Sequence, residues 1–278
     1  MSGWVNLFEV KKIQRKIIQI LATLISNPLL ENLITGKIYK GTLKNFCSPG
    51  LNCYSCPAAI FSCPIGAMQT VGITAGLRFS FYAVGFILLV GIFFGRAVCG
   101  FLCPFGFFQE LLHKIPTKKF ELWRPLIYIK YFVLTFFVVL LPDVLSNYAG
   151  IGEPIFCEYI CPAGTLEAGL TLLATHEEFF SILGKLFALK IFILVAVIVG
   201  SIFIQRFFCK MLCPLGAMYG LLNRVSFYRL QVNHSSCINC GACKKICPMS
   251  IDPTHKKNSP ECILCGECKN ICPTKSIR

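Results

Sequence analysis

Two runs near the carboxyl end, CINCGACKKICP at residues 237–248 and CILCGECKNICP at residues 262–273, decide how the chain is interpreted. Each run places three cysteines three residues apart and a fourth cysteine directly before a proline. In this spacing the first three thiolates hold one [4Fe–4S] cluster and the fourth reaches the neighbouring cluster. The first cluster is therefore assigned Cys237, Cys240, Cys243 and Cys272, and the second is assigned Cys262, Cys265, Cys268 and Cys247. A zinc site or a set of disulfides is the alternative, and the doubled spacing argues against both.

The composition of the chain is typical of a membrane protein. Of its 278 residues, 55% are hydrophobic and only 14% are charged, and the mean hydropathy is +0.66. The 18 cysteines fall in metal-type spacings, unlike those of a small secreted disulfide protein. The formal charge of +14 does not indicate a nucleic-acid partner, because anionic clusters would offset much of it and the basic residues flank apolar segments.

Three apolar segments predict membrane-spanning helices, at residues 79–95, 125–141 and 186–205. Each has close to the ~20 residues that cross a bilayer core. A weaker segment at residues 17–35 is interrupted by Pro28 and is predicted either to span the membrane or to lie in its interface. It has no small-residue cleavage site, which argues against a secretory leader.

Basic residues in the loops predict the orientation in the membrane. The loop at residues 96–124 holds five Lys or Arg, whereas residues 142–185 hold one basic residue and six acidic ones. We therefore expect residues 96–124 and the carboxyl end in the cytoplasm and residues 142–185 outside. Arg96 and Arg206 end the spans that precede them. The loop at residues 36–78 must then lie outside, although its four basic residues disagree with the rule.

The tetrapeptide Cys-Pro-x-Gly occurs four times, starting at Cys63, Cys103, Cys161 and Cys213. A proline in the first turn and a thiolate at the helix start predict that each tetrapeptide opens a helix. The four copies alternate between the two sides of the membrane, so they form two copies of one unit. This predicts a pseudo-two-fold axis along the membrane normal.

The pseudo-two-fold axis would bring equivalent loops together and create two further cysteine sites. The candidate metal site on the cytoplasmic side consists of Cys99, Cys103, Cys209 and Cys213. On the outer side the repeat is imperfect, because Ala59 stands where a first cysteine is expected. The candidate outer site is therefore drawn from Cys157, Cys161, Cys63, Cys56, Cys53 and Cys47. Structural thiols or, on the outer side, disulfides are the alternative.

The predicted fold is an α-helical membrane protein of about four spans with an internal pseudo-repeat and a carboxyl-terminal α+β domain. The membrane domain covers residues 1–229, and the two-cluster domain, of bacterial ferredoxin type, covers residues 230–278.

The motifs CGFLCP and CKMLCP, followed by the doubled cysteine tail, resemble the NapH/NosR type of membrane ferredoxin over about residues 79–278. The resemblance implies a bacterial or archaeal inner-membrane electron carrier with cytoplasmic clusters. It implies electron exchange between quinol or a cytoplasmic donor and an extracytoplasmic reductase system. The outward motif CEYICP and the loop CYSCPAAIFSCPIG depart from the family pattern and leave the partners open.

The predicted function is iron–sulfur electron transfer between a cytoplasmic donor and a quinone or a membrane or extracytoplasmic partner. Two [4Fe–4S] clusters are expected, with one or two further metal sites, and no motif indicates bond chemistry. The alternatives are an accessory protein that supplies electrons or metal to another metalloenzyme, or a thiol redox sensor. A bilayer core is about 30 Å thick, so sites on its two faces are predicted too far apart for one direct electron step.

Overall fold

The computed structural model describes residues 12–75, 81–142, 144, 154–176, 178, 184–254 and 258–277. Within these residues the protein is helical and forms no strand. Two isolated β-bridges join Cys47 to Ser62 and Val232 to Ile277.

The α-helices are α1 (Lys12–Ser26), α2 (Asn32–Thr35), α3 (Pro64–Ala75), α4 (Phe81–Phe94), α5 (Ala97–Phe101), α6 (Pro104–Leu112), α7 (Ile129–Phe132), α8 (Pro162–Gly164), α9 (Leu170–Thr175), α10 (Lys185–Phe203), α11 (Phe207–Met211), α12 (Pro214–Leu222), α13 (Ala242–Ile246) and α14 (Glu267–Ile271). Tighter 3-10 turns occur at Thr42–Asn45, Arg124–Tyr128 and His234–Ser236. Wider π-helical turns occur at Val133–Leu140, Phe156–Ile160 and Thr165–Gly169.

The three segments predicted to span are helical where they are described, except at their ends, at residues 95, 204 and 205. Among the described helices, only α10 is long and apolar enough to cross a membrane, with 19 residues and a mean hydropathy of 2.7 over its most apolar stretch. Helix α4 is apolar but shorter, and the first residues of its predicted span lie outside the described residues. Residues 125–141 are helical throughout, as a 3-10 turn, α7 and a π-helical turn in succession.

Helix α1 turns its polar residues inward and its apolar residues outward. Arg15 and Gln19 are 5% and 1% exposed, whereas Ile13 and Ile25 are 74% and 63% exposed. Both polar side chains donate to the Gly100 carbonyl, Arg15 Nε at 3.2 Å and Gln19 Nε2 at 2.9 Å. A helix on the surface of a water-soluble protein has the opposite pattern. The outer face of α1 therefore suits apolar surroundings.

The boundaries predicted for the first apolar segment, residues 17–35, are wrong. The helix is already formed at Lys12, the first described residue, and ends at Ser26, before Pro28. Proline lacks the amide that would continue a helix and restricts the residue before it, which explains the break. The four-residue helix α2 follows after a turn.

The carboxyl-terminal tail packs directly on the rest of the protein. Ile263 and Leu264 are each 2% exposed, and Ile263 belongs to the main apolar core. The carbonyl oxygen of Ile263 lies 2.6 Å from where a Cβ on Gly100 would be, so only glycine permits this approach. The tail is predicted to be an α+β domain. Its described residues form helices α13 and α14 and the single Val232–Ile277 bridge, and they form no strand.

Candidate metal centres

The eight cysteines of the tail line two separate cavities. The first is lined by Cys237, Cys240, Cys243 and Cys272, and the second by Cys262, Cys265, Cys268 and Cys247. Each cavity takes three cysteines from one run and the fourth from the other, as the spacing predicts. Helices α13 and α14 begin shortly after the second cysteine of each run, contain the third, and pack against each other. The donor sets therefore fit one thiolate-bound cluster in each cavity.

The two cysteine runs share one backbone conformation. Asn239 and Leu264 both have a φ of 51°, and Gly241 and Gly266 have φ values of 71° and 76°. A leucine is strained in this left-handed region, so the surroundings must impose the loop. Successive turns of this kind point backbone amides into a concavity and are found around anionic groups, including iron–sulfur sites. The loop backbone thus fits the same cofactor as the thiols.

The two cavities differ in their access to solvent. Cys240 is exposed at the first cavity, whereas Cys265 and Cys268 at the second are buried. The Cβ of Cys265 lies 3.8 Å from where a Cβ on Gly100 would be, and Gly100 follows Cys99 in the chain. The second cavity is therefore next to the candidate site on the cytoplasmic side.

That candidate site, which we call the inner site, contains four buried thiols: Cys99, Cys103, Cys209 and Cys213. Burial raises the pKa of Cys103 to about 12, and the neighbouring Cys209 and Cys99 contribute to this. Burial and the same neighbours raise the pKa of Cys213 as well. A bound metal would favour the deprotonated form of these thiols, because metal binding releases the protons of its cysteine ligands.

Cysteines at helix starts give the inner site its shape. Cys103 Sγ accepts a hydrogen bond from the Gly106 amide at 3.4 Å, and Cys213 Sγ accepts one from the Gly216 amide at 3.3 Å. Helices α3, α6, α8 and α12 all begin at the proline of a Cys-Pro-x-Gly tetrapeptide. The prediction that each tetrapeptide opens a helix is confirmed.

Two buried arginines cross-link the two copies of the repeat. Arg96 Nη2 donates to the Cys209 carbonyl at 3.0 Å, and Arg206 Nη1 donates to the Cys99 carbonyl at 2.6 Å. Each arginine stands three residues before the first cysteine of its own motif and reaches the motif of the other copy. Both side chains are fully buried. This reciprocity is the pseudo-two-fold relation that the repeat predicts, and sequence analysis had assigned these arginines only to the ends of spans.

Each buried arginine has a carboxylate partner. Arg206 Nε donates to Glu110 at 2.8 Å, and Arg96 Nη1 donates to Glu261 at 2.9 Å. Lys130 Nζ, also fully buried, contacts Glu261. Burial alone would raise the pKa of Glu110, but the adjacent arginines, led by Arg206, lower it overall. The carboxylates therefore stay charged and hold the arginines in place.

The two carboxylates come from different parts of the chain. Glu110 lies on α6, and the equivalent position on α12 is Gly220. The Pro260 carbonyl of the tail lies 2.8 Å from where a Cβ on Gly220 would be, which excludes a side chain there. The next tail residue, Glu261, supplies the carboxylate instead. Docking of the tail and the charge balance of the inner site are thus coupled.

The ion-pair network beside the inner site has four cations and three carboxylates: Arg15, Arg96, Lys130 and Arg206, with Glu110, Glu261 and Glu267. Lys210, which is 2% exposed and follows Cys209 in the chain, adds a further cation, so positive charge is in excess beside the four thiols. Buried charges are stable only when they are compensated, so an anionic group is expected between the thiols. An iron–sulfur cluster bound by four thiolates is such an anionic group.

One hydrogen bond to a cysteine sulfur of the inner site is not predicted from the sequence. Gln109 is fully buried, its Nε2 donates to Cys209 Sγ at 3.1 Å, and its Oε1 accepts from the Phe208 amide at 3.0 Å. Hydrogen bonds to ligand sulfurs are among the features that set cluster potentials. A glutamine on an apolar helix gives no sequence signal of this role.

Of the six candidate outer cysteines, the structure brings four together: Cys53, Cys63, Cys157 and Cys161. We call this group the outer site. Burial raises the pKa of Cys157, followed by the effects of Cys63 and Cys53. The pKa of Cys161 is raised by burial and then by Cys157. The thiols of the other two candidates lie beside other polar groups: Cys56 Sγ is 3.9 Å from Asn27 Oδ1, although Cys56 also packs against Cys53, and Cys47 Sγ is 4.0 Å from Ser62 Oγ.

The spacing of the thiols decides which kind of metal centre they fit. None of the 18 cysteines, all of which are described, forms a disulfide. Within the described residues, no three Cys, His or carboxylate side chains converge tightly enough to hold a single metal ion. A zinc ion needs all its ligands at about 2.0–2.3 Å from one centre, whereas a cluster binds each thiolate at a separate iron. The four thiols at each of the inner and outer sites match the number of thiolates that one cluster takes.

Two family models match the chain, and both are described as a 4Fe-4S binding domain. One matches three segments, residues 79–122, 131–176 and 186–230, and the other matches residues 230–251. The first model covers the Cys-x-x-x-Cys-Pro motifs at both the inner and the outer site. The second covers the first cysteine run of the tail.

Curated relatives cover the same region. An uncharacterised protein of Methanocaldococcus jannaschii is 34% identical over 61% of this chain and 66% of its own length. The putative electron transport protein YccM of Escherichia coli is 27% identical over 68% of this chain and 53% of its own. The methylamine utilization ferredoxin-type protein MauN of Paracoccus denitrificans is 33% identical over 58% of this chain and 52% of its own.

The chain thus spans about half to two thirds of the length of these relatives. No solved structure matches it. The paired Cys-x-x-x-Cys-Pro motifs, the doubled cysteine tail and the relatives agree on one assignment. The chain belongs to the NapH/NosR-type family of 4Fe–4S ferredoxins.

Proposed function

We propose that this protein is a membrane-bound iron–sulfur electron carrier that connects a cytoplasmic donor with a quinone or a membrane or extracytoplasmic partner. Electron transfer itself agrees with the ferredoxin-type relatives. The observation that carries the proposal is the contact at Gly100, where the buried second cavity of the tail meets the inner site. The thiols of the first cavity, the second cavity and the inner site thus form a series that leads from the exposed Cys240 into the interior.

The protein would hold three clusters on this path, two in the tail and one at the inner site. An iron–sulfur cluster supplies reversible one-electron exchange in which no bond is made or broken. The residues of this chain set the conditions for that exchange. Arg96 and Arg206 place positive charge beside the inner thiols, which favours an added electron, and Gln109 donates to Cys209. The buried apolar core that joins the inner site to the tail excludes water.

The first cavity is suited to receive electrons from a soluble protein. Cys240 is exposed at its edge, and Lys244 and Lys245 on α13 are exposed near it. A basic rim of this kind attracts an acidic partner and speeds encounter. We therefore place the donor at this end and assign residues 230–278 to the cytoplasm.

Membrane insertion is supported by the apolar faces of four helices. Phe81 on α4 is 81% exposed and Phe192 on α10 is 70% exposed. Phe132 on α7 and the outer face of α1 are exposed in the same way. Apolar surface of this extent suits lipid rather than water. We propose that α1, α4, α7 with its π-helical turn, and α10 lie in the membrane, and that residues 1–229 form the membrane domain.

Single-cysteine variants of the tail test the proposed cluster assignments. In the full-length protein, purified without oxygen, Cys240→Ala should lose about four Fe and the electron paramagnetic resonance signal of one tail cluster. Cys265→Ala should lose a different signal, because its ligand set is separate. Loss of one and the same signal in both variants would contradict the two-cavity assignment. Eight Fe together with labile zinc or copper in the unchanged protein would favour a metal-handling accessory role instead.

A further inference from the structure

We propose that Cys53, Cys63, Cys157 and Cys161 form a second iron–sulfur site in the membrane part, on the outer side. The inference rests on the proposed function only for the use of this site in electron transfer. The site itself is argued from the positions of its four thiols.

The pseudo-repeat selects Cys53 as the fourth thiol. The Cys-Pro-x-Gly glycine of each outer motif faces a thiol from the other copy. A Cβ on Gly66 would lie 3.8 Å from Cys157 Sγ, and a Cβ on Gly164 would lie 3.7 Å from Cys53 Sγ. Cys53 therefore occupies the place that is symmetric to Cys157. The repeat has no cysteine at Ala59, and Cys53, six residues earlier in the chain, takes its place.

The outer loop holds Cys53 in this position by specific contacts. The backbone amide of Cys53 donates to Glu167 Oε2 at 2.6 Å, and Glu167 belongs to the other copy of the repeat. Lys44, only 5% exposed, donates from Nζ to the Ala59 carbonyl at 2.7 Å and holds the segment that follows. Its positive charge also acts on Cys56 and, less strongly, on Cys53.

The outer site repeats the features of the inner site. Cys63 and Cys161 stand directly before the first proline of helices α3 and α8 and are both 7% exposed. The amide of Gly66 faces Cys63 as the amides of Gly106 and Gly216 face the inner thiols, whereas Cys161 accepts no such capping hydrogen bond. As at the inner site, all four cysteines are free thiols. The same class of cofactor, a thiolate-bound iron–sulfur cluster, therefore fits both sites.

The outer site is much nearer to the inner site than the thickness of a bilayer. A Cβ on Gly50 would lie 2.7 Å from Cys103 Cα, so the outer loop reaches down to the inner site. Tyr219 Oη donates to the Pro49 carbonyl at 3.1 Å and holds the loop there. Cys53 follows Gly50 by three residues, which span at most about 11 Å. The expectation that about 30 Å of bilayer core separates the two sites is therefore wrong, because the loop folds inward.

Metal content of matched variants tests the outer site. Wild type, Cys53→Ser, Cys161→Ser and Cys56→Ser are purified as full-length protein without oxygen. Iron and acid-labile sulfide are counted per chain, and Mössbauer and electron paramagnetic resonance spectra are recorded. We expect Cys53→Ser and Cys161→Ser each to lose about four Fe, and Cys56→Ser to keep the wild-type content. Unchanged tail signals in each variant show that it has folded.

Two results would overturn the outer site. One is wild-type iron in Cys53→Ser, and the other is the same loss in Cys56→Ser as in Cys53→Ser. If wild type holds about twelve Fe and Cys53→Ser keeps them all, the outer site fails while the proposed function stands. If wild type lacks the eight Fe of the tail, the proposed function fails as well.

Discussion

Cys103→Ser and Cys213→Ser are each expected to remove the same metal, about four Fe beyond those of the tail, and the double variant is expected to lose no more than either single one. The two cysteines belong to different copies of the repeat but meet in one buried group of thiols. Loss of any one ligand opens a shared site, so the effects of the two substitutions cannot add.

Cys47→Ser is the matched control for this pair. Cys47 is also a buried thiol, 6% exposed, but its neighbour is Ser62. It should keep the wild-type iron content. Iron and sulfide analysis of the four variants beside wild type is the measurement. Additive losses in the double variant, or wild-type iron in both single variants, would show that the two motifs do not build one site.

Glu110→Gln is expected to cause a large loss of stability for a single conservative change. Glu110 accepts from Arg206 Nε at 2.8 Å and also pairs with Arg15. The side chains of Arg206 and Arg15 are 0% and 6% exposed, so both charges would be left buried with one carboxylate fewer. Removing one partner of a buried ion pair costs about 3–5 kcal/mol.

A loss of about 3 kcal/mol corresponds to a drop of about 6–12 °C in the apparent melting temperature. Thermal unfolding in detergent, followed by circular dichroism, measures this drop. Glu31→Gln is the control, because Glu31 is exposed, and it should melt within about 1–2 °C of wild type. Similar melting of both variants would mean that the Arg15–Glu110–Arg206 network does not hold the inner site together.

The spacing of residues within short motifs predicted those parts of the metal centres that depend on residues close together in the sequence. The crossed cysteine sets of the tail follow from one short motif, and the same sets line the two cavities. The four helix starts follow from the Cys-Pro-x-Gly tetrapeptide, because proline and the capping thiol act within one turn. Equivalent positions in the repeat also predicted that the inner thiols meet.

Contacts between distant segments could not be predicted in the same way. Arg96 and Arg206 have the sequence appearance of charges that end a span, yet their guanidinium groups reach carbonyls more than one hundred residues away in the chain. Glu261 replaces a carboxylate that Gly220 cannot carry, and this exchange appears only once the tail is docked. The choice of Cys53 over Cys56 depends on how the outer loop folds, and the loop has no periodic pattern to predict its path.

The first helix shows the same limit of sequence patterns. Its apolar residues predicted either a span or an interfacial helix, but the polar side chains Arg15 and Gln19 gave no sign that they face inward. Their partner, the Gly100 carbonyl, lies on α5 beside the inner site. The polar face of α1 is therefore explained by a contact and not by water.

The most direct test of the account is the amount of iron and acid-labile sulfide per chain in the full-length protein purified without oxygen. The central claim is that the membrane part itself holds iron–sulfur clusters in addition to those of the tail. The account predicts about sixteen Fe per chain, from two clusters in the tail, one at the inner site and one at the outer site. About twelve Fe per chain would contradict only the outer site. About eight or fewer would contradict the central claim, because the tail alone accounts for that amount.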